Sequence, residues 1–212
     1  MRKTVIAGIL LAAFATTAPL FAQTNASDVA ALAERVARLE KQVDEMSRLL
    51  EPIKAQQAVE TRRKMLREKF EQRLAADRAK YTPEQLREAE QLYQVANQKW
   101  GSTEATDSLQ TMIKKYPDIN RTGCAVLYVA QMSRGEERAK NLRDCIEKYN
   151  DCMYGDGVQV GVYARFLMAH DLRAKGETKQ ADELIEEIKT QSPDAIDHGG
   201  NLLADSIKNN AL

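Results

Sequence analysis

Three cysteines and two histidines hold most of the chemistry open to this chain of 212 residues. Arg134-Gly135 marks a turn between two helical stretches. Cys124 lies eleven residues before Gly135 and Cys145 ten after it. In an antiparallel helical hairpin those positions stand at the same height, so the two thiols are expected to meet. A Cys124–Cys145 bridge would restrict the unfolded chain and stabilise the hairpin by about 3 kcal/mol in the chain-entropy picture. Cys152 falls just past the second helix and could instead reach Cys124 or Cys145. Pairing within one chain leaves one thiol over, Cys152 on this reading; the alternative is three reduced, partly buried thiols. There is no Cys-x-x-Cys and no neighbouring pair of histidines, so no metal site is expected.

The histidines offer less. His170 sits inside a helical stretch beside Asp171 and reads as a face or core residue. His198 precedes Gly199-Gly200, and its neighbour Asp197 is no acid–base partner, because adjacent residues on a helix do not face each other. In Tyr154-Gly155-Asp156-Gly157-Val158-Gln159-Val160-Gly161, two glycines around Asp156 make a turn, with Asp156 set to cap a helix over 158–175. Gly161 inside that helix costs about 1 kcal/mol against alanine, which points to a close helix–helix contact. The Gly-Asp-Gly spacing lacks the further carboxylates of a calcium loop. Neither Gly-x-Ser-x-Gly, a phosphate-cradling glycine loop nor His-Glu-x-x-His is present. Converging polar groups of tuned pKa are not in evidence, so neither an enzyme nor a cofactor is expected.

The elements that would position these residues are helical throughout. Apolar residues make up 43 % and charged residues 29 % of the chain, with few glycines and prolines, a helix-rich globular profile. Arg2 and Lys3 precede the apolar stretch Thr4–Leu11, and Ala22 is a small residue before Gln23. Residues 1–22 therefore read as a secretory signal peptide, with a later cut after Ala26 or an uncleaved anchor as alternatives. Export implies a periplasmic or secreted, oxidising setting. Next, Val29, Leu32, Val36, Leu39, Val43, Met46 and Leu50 alternate in steps of three and four, and Ile53 continues the series. With valine at one seam position and mostly leucine at the other, residues 23–53 predict a coiled coil that pairs copies of the chain, as dimer or trimer. An amphipathic helix lying on its own domain is the competing reading. Pro52 is expected to end or kink this helix.

From Lys54 to Lys80 a helical connector carries nine basic and four acidic residues, with a thin apolar stripe of Val59, Leu66, Phe70 and Leu74. From Tyr81 onward sixteen basic face twenty-one acidic residues, so the net charge of zero hides a basic rod and an acidic body. The rod reads as a solvated face, with contact to an anionic surface as the alternative. Thr82-Pro83-Glu84-Gln85 then forms a capping box that opens a helix to about Trp100, where Gly101 stops it. Ser102 or Thr103 caps the next helix, which reaches Tyr116 and stops at Pro117.

The ending Lys114-Lys115-Tyr116-Pro117-Asp118 returns as Glu147-Lys148-Tyr149-Asn150-Asp151, thirty-three residues later. Ala105, Leu109, Met112 and Pro117 return as Ala181, Ile185, Ile188 and Pro193, shifted by seventy-six. Three helix pairs at this period predict an all-α chain in which a coiled coil and a long helix lead into an α-solenoid over 81–212. Ala169, Gly176, Ala181, Ile185, Ile188 and Pro193 resemble the pattern of tetratricopeptide repeats. So do Tyr93, Ala105, Leu109, Met112 and Pro117, although Trp100 replaces the usual small turn residue. Together with the signal peptide and coiled coil, this architecture resembles the periplasmic cell-division coordinator family associated with the Tol-Pal system. That resemblance implies an oligomer formed through the coiled coil and a repeat surface that docks proteins. The expected function is an exported, non-catalytic scaffold for protein partners of the cell envelope. Tyr93, Tyr128 and Arg165 are the candidate contacts of the repeat face. Envelope-surface binding through residues 54–80 is the alternative; the zero net charge gives no push toward nucleic acid.

Overall fold

The computed structural model describes residues 26–209 and is all-α over them. The expected signal peptide, residues 1–22, lies outside the described residues. Eight helices follow one another: α1 (Ala26–Lys80), α2 (Pro83–Gln98), α3 (Thr103–Lys115), α4 (Asn120–Met132), α5 (Gly135–Glu147), α6 (Val160–Ala174), α7 (Thr178–Gln191) and α8 (Leu203–Asn209). The chain divides into two compact units, one up to Gln57 and one from Ala58. Residues 58–80 of α1 thus share a unit with the hairpins. Pro52 does not end the helix: α1 contains it. A proline removes one rung of the hydrogen-bond ladder, and the strong helix formers Arg48-Leu49-Leu50-Glu51 and Lys54-Ala55-Gln56 flank it.

At α2 and α3 the capping chemistry falls where the sequence puts it. The Gln85 amide donates to Thr82 Oγ1 at 3.3 Å and the Thr82 amide to Gln85 Oε1 at 2.9 Å, closing the capping box of α2. Ser102 Oγ accepts from the Ala105 amide and opens α3. Helices α2 and α3, α4 and α5, and α6 and α7 pack as successive pairs, and α4 also touches α2 and α6. Their shared core holds Leu109, Met112, Leu127, Leu142 and Cys145, all fully buried, and Ala181, Ile185 and Ile188 form a second cluster. Side chains add hydrogen bonds within and between pairs: Ser108 of α3 donates to the Leu92 carbonyl of α2, and Tyr128 of α4 to the Ala96 carbonyl of α2.

The loops after α5 and α7 repeat each other at an offset of forty-three residues. Single β-bridges join Met153 to Gln159 and Ile196 to Leu202. The Val160 amide donates to the Cys152 carbonyl at 2.8 Å, and the Leu203 amide to the Ala195 carbonyl at 2.9 Å. Each loop carbonyl therefore satisfies the first amide of the helix that follows. No such loop precedes α4. Its first amide, on Asn120, donates instead to Asp77 Oδ2 of α1 at 2.8 Å, so a carboxylate from another helix supplies the cap. Asp156 does not cap α6 as expected. Its carboxylate takes the Val158 amide within the loop, and α6 starts later, at Val160. Gly161 is closely approached, though by the turn residue Asn150 and not by another helix: an added Cβ there would meet the Asn150 Cα at 2.6 Å.

One narrow face of the 58–80 stretch of α1 turns inward. Leu66, 2 % exposed, packs with Met153, Val158 and Ile196, and Phe70 lies against the same cluster. Its basic residues follow the ends of the second helix of each pair in reverse order. Arg62 stands 3.7 Å from Asp194, Arg73 3.3 Å from Asp151, and Lys80 3.9 Å from Asp118. These aspartates occupy the recurring position after the helix end. Since their carboxylates are more than half exposed, the pairs are worth about 0–1 kcal/mol each and fix register more than stability.

Asn120 is the buried hinge pin of this junction. Its side-chain amide donates to the Met153 carbonyl and its carbonyl accepts the Met153 amide, both at 2.7 Å. Replacing Asn120 by alanine strands two buried backbone groups. The expected loss is about 2–5 kcal/mol of unfolding free energy, whereas the exposed Asn97→Ala should change it by less than about 0.5 kcal/mol, as urea titration followed by circular dichroism would measure.

Candidate functional site

The residues that set the first unit apart are the seam of α1. Val29, Leu32, Val36, Leu39, Val43, Met46, Leu50 and Ile53 are each 47–60 % exposed, and Leu49 is also exposed. The intrahelical ion pairs Arg38–Glu34 and Lys54–Glu51 lie off this stripe, at positions that leave the seam wholly apolar. The heptad therefore forms a continuous uncovered strip along one helix.

The other candidate contacts are placed differently. Tyr93 and Tyr128 were expected on an open repeat face, but they are 4 % and 7 % exposed. Their rings meet edge to face at 5.9 Å, and the Arg121 guanidinium caps the Tyr93 ring at 4.5 Å. They are core residues because each lies on the face its helix turns toward the neighbouring pair. Arg165 is also engaged inward, donating to Glu187 at 3.0 Å, Asn150 at 2.6 Å and the Gly161 carbonyl at 3.1 Å. None of the three offers a free contact. Trp100, a departure from the repeat pattern, is 55 % exposed and meets the Tyr128 ring edge to face at 4.1 Å. The basic stretch is not a uniformly solvated rod either. Arg62 and Arg73 point inward, and on the outer face Glu60, Glu68 and Glu71 interleave with Arg63, Lys64, Arg67 and Lys69.

The expected Cys124–Cys145 bridge is absent, and all three cysteines are free and buried. Cys124 turns its Sγ to the Met153 carbonyl at 3.5 Å, away from a bridge, and Cys152 lies against the Arg73 guanidinium at 3.8 Å. Burial pushes all three thiols up. Cys152 rises to about 11 even though Arg73 pulls it down, so none is a nucleophile at neutral pH.

One pairing of titratable groups was hidden in the sequence. His198 Nδ1 lies 2.8 Å from Asp156 Oδ2, across 42 residues, and not beside Asp197. The rings of Tyr154 and Tyr163 flank the imidazole edge to face at 4.9 and 5.1 Å. This clamp joins the two repeated loops. Asp197 instead organises its own turn, accepting from the Gly199 and Asn201 amides and from Ser206 Oγ. A carboxylate that orients an imidazole is half of an acid–base device, yet the flanking Tyr154 hydroxyl is used on the Cys124 carbonyl. Burial pushes Asp156 up, but hydrogen bonds from His198 and the Val158 amide outweigh it and hold the carboxyl below its ordinary 3.8.

Among the described residues no group of three or more His, Cys, Asp or Glu side chains is arranged to hold a metal ion. Among them, too, no helix is long and apolar enough to cross a membrane. No protein-family model matches the chain, and no characterised protein or solved structure matches it.

Two outcomes are expected. Iodoacetamide should label none of the three cysteines in the folded chain and all three in guanidinium, counted by mass spectrometry. Because Asp156 is lowered on folding, its stabilising contribution is present at neutral pH and lost as pH falls below about 4. Asp156→Asn should therefore unfold less steeply with acid than the wild type over that range, read from melting temperatures at pH 3 to 7.

Proposed function

We propose that this chain is an exported, non-catalytic scaffold that self-associates through residues 29–53 and presents its helical-hairpin unit to protein partners of the cell envelope. The observation that carries this reading is the eight-residue apolar seam left uncovered on α1. Covering the remaining half of each side chain is worth about 1 kcal/mol, or on the order of 8 kcal/mol per chain. Two seams together gain on the order of 16 kcal/mol, against an association cost of about 4–15 kcal/mol, so the balance favours pairing. A second copy is the occupant that fits, because valine alternates with leucine at two-in-seven spacing and the matching strip is the chain's own.

Charge on the seam's flanks agrees with that occupant. Arg35 and Glu40 occupy the positions that face each other between parallel, in-register helices, giving two opposite-charge pairs per dimer. Linked copies would raise the avidity of individually weak repeat sites. The arrangement of successive helix pairs supports a tetratricopeptide-like reading of the second unit, and that reading together with the leader-like residues 1–22 supports a periplasmic or secreted setting. Since Tyr93, Tyr128 and Arg165 are interior, the exposed Trp100 is the better candidate for a partner contact.

Light scattering on residues 23–212 should give a mass two or three times that of one chain at micromolar concentration. The double variant Leu39→Asp, Val43→Asp should be monomeric, with self-association at least 100-fold weaker, and the outer-face Asp44→Asn should assemble like the wild type. A monomeric wild type would refute the scaffold.

A further inference from the structure

We propose that the recess bounded by Arg62, Arg63, His198 and Gly199-Gly200 binds a small ligand through an oxyanion, a carboxylate or a phosphate. It lies between α1 and the 196–202 loop and has a volume of about 210 Å³. No part of the scaffold reading above requires it.

Arg62 carries the argument. Its side chain is 16 % exposed, and its Nε is buried without a hydrogen-bond partner. Its one ionic contact is Nε to Asp194 Oδ1 at 3.7 Å, too long for a hydrogen bond. A guanidinium has five donors in a planar fork and stays charged, so burying it with its donors unused is costly. Arg73, eleven residues on, shows how this helix treats such a group when the protein itself supplies partners. It pairs with Asp77 at 2.5 Å and donates to the Asp118 carbonyl at 2.6 Å. Arg73 leaves its Nε without a hydrogen bond as Arg62 does, but it uses both Nη atoms, whereas Arg62, with the same inward placement, makes no hydrogen bond from its fork among the described residues.

The carboxylates at the recess are already engaged. Asp156 accepts from His198 and the Val158 amide, and Asp197 from two backbone amides, Asn201 Nδ2 and Ser206 Oγ. Asp156 and Asp197 balance the charges of Arg62 and the exposed Arg63, but neither accepts from Arg62, so its fork keeps donors that no acceptor lining the recess uses. An oxyanion fits the guanidinium fork in bidentate geometry. Val59, Leu66 and Ile196 give the recess an apolar part that accommodates a short hydrocarbon body on the same ligand. His198, held by Asp156 and the two tyrosine rings, forms a fixed wall. A bound anion would tie α1 to the loop before α8.

Calorimetric titration of the full chain with sodium phosphate, and separately with sodium butyrate, tests this, with sodium chloride at matched ionic strength as control. Saturable one-site binding of at least one probe is expected. Stronger phosphate binding would identify a phosphate ligand, and stronger butyrate binding a carboxylate on an apolar body. Arg62→Gln should weaken binding at least 10-fold. Arg62→Lys, which keeps the charge and loses the fork, should also weaken it, and the exposed Arg63→Gln should do so about 3-fold. Asp194→Asn should leave binding unchanged or tighten it, because it removes the competing carboxylate. Heats no different from chloride for both probes, or binding that survives Arg62→Gln, would overturn the proposal. So would Arg62→Gln and Asp194→Asn lowering the melting temperature equally with no anion bound, since Arg62 would then be an internal ion-pair partner only.

Discussion

The second unit depends on a small buried polar junction where α1 meets the end of the first hairpin. Asp77 is 4 % exposed and accepts both the Arg73 guanidinium and the first amide of α4. Burial pushes the Asp77 carboxyl above its usual value despite these donors, so the ionised form is held there at some cost. What the arrangement provides is uniqueness. A hydrophobic contact tolerates sliding by a turn, whereas Asp77 can reach the Asn120 amide, and Asn120 both groups of Met153, in one register only. With that register set, Leu66 and Phe70 fall on the loop cluster of Met153, Val158 and Ile196, and Arg62 on the last loop.

The junction also shows how the repeats differ beneath their common ending. The recurring aspartates Asp118, Asp151 and Asp194 all face α1, but the helix that follows each starts differently. Two loops close a single β-bridge and offer a backbone carbonyl to the next helix. The first has no loop, and a side chain from outside fills the role. The two longer loops then lie against each other through His198 and Asp156. The chain thus solves one problem, a first-turn amide in need of an acceptor, by two means.

Much of this was legible in the sequence where the signal is local. The capping box at Thr82, the stops near Trp100 and Tyr116, and the periodic Ala105, Leu109 and Met112 all report on residues within a turn or two of each other. Other features were not, because they depend on where distant segments meet. A basic helix with four apolar residues reads as solvated; nothing in its own residues tells that Arg62 and Arg73 face the hairpins. Tyr93 and Tyr128 sit at the right spacing for an exposed groove and for a core alike. The cysteine geometry failed for a related reason. Equal height on a hairpin is necessary for a bridge, but side-chain direction decides it, and Met153, from the loop after α5, sets that direction for Cys124. The matching loops at 153–159 and 196–202 were readable in principle, since Asp151 and Gly157 correspond to Asp194 and Gly200 at one offset.

Helix α1 itself supplies a comparison that bears on what its first half is for. Both halves carry an apolar stripe at helical spacing. After Ala58 the stripe is narrow, with Leu66 as its one fully buried member, and charged side chains lock it to specific partners. Before Gln57 the stripe is longer, strictly two-in-seven, free of charge and uncovered by any described part of the chain. A sequence under no constraint there would place lysine or glutamate at those positions, since a solvated helix gains nothing from eight aliphatic side chains in line. Single exposed aliphatics need no explanation, but a continuous row does. The heptad spacing further restricts the answer, because a flat surface or lipid interface asks for a broad apolar face, and this one is the width of a single opposing helix.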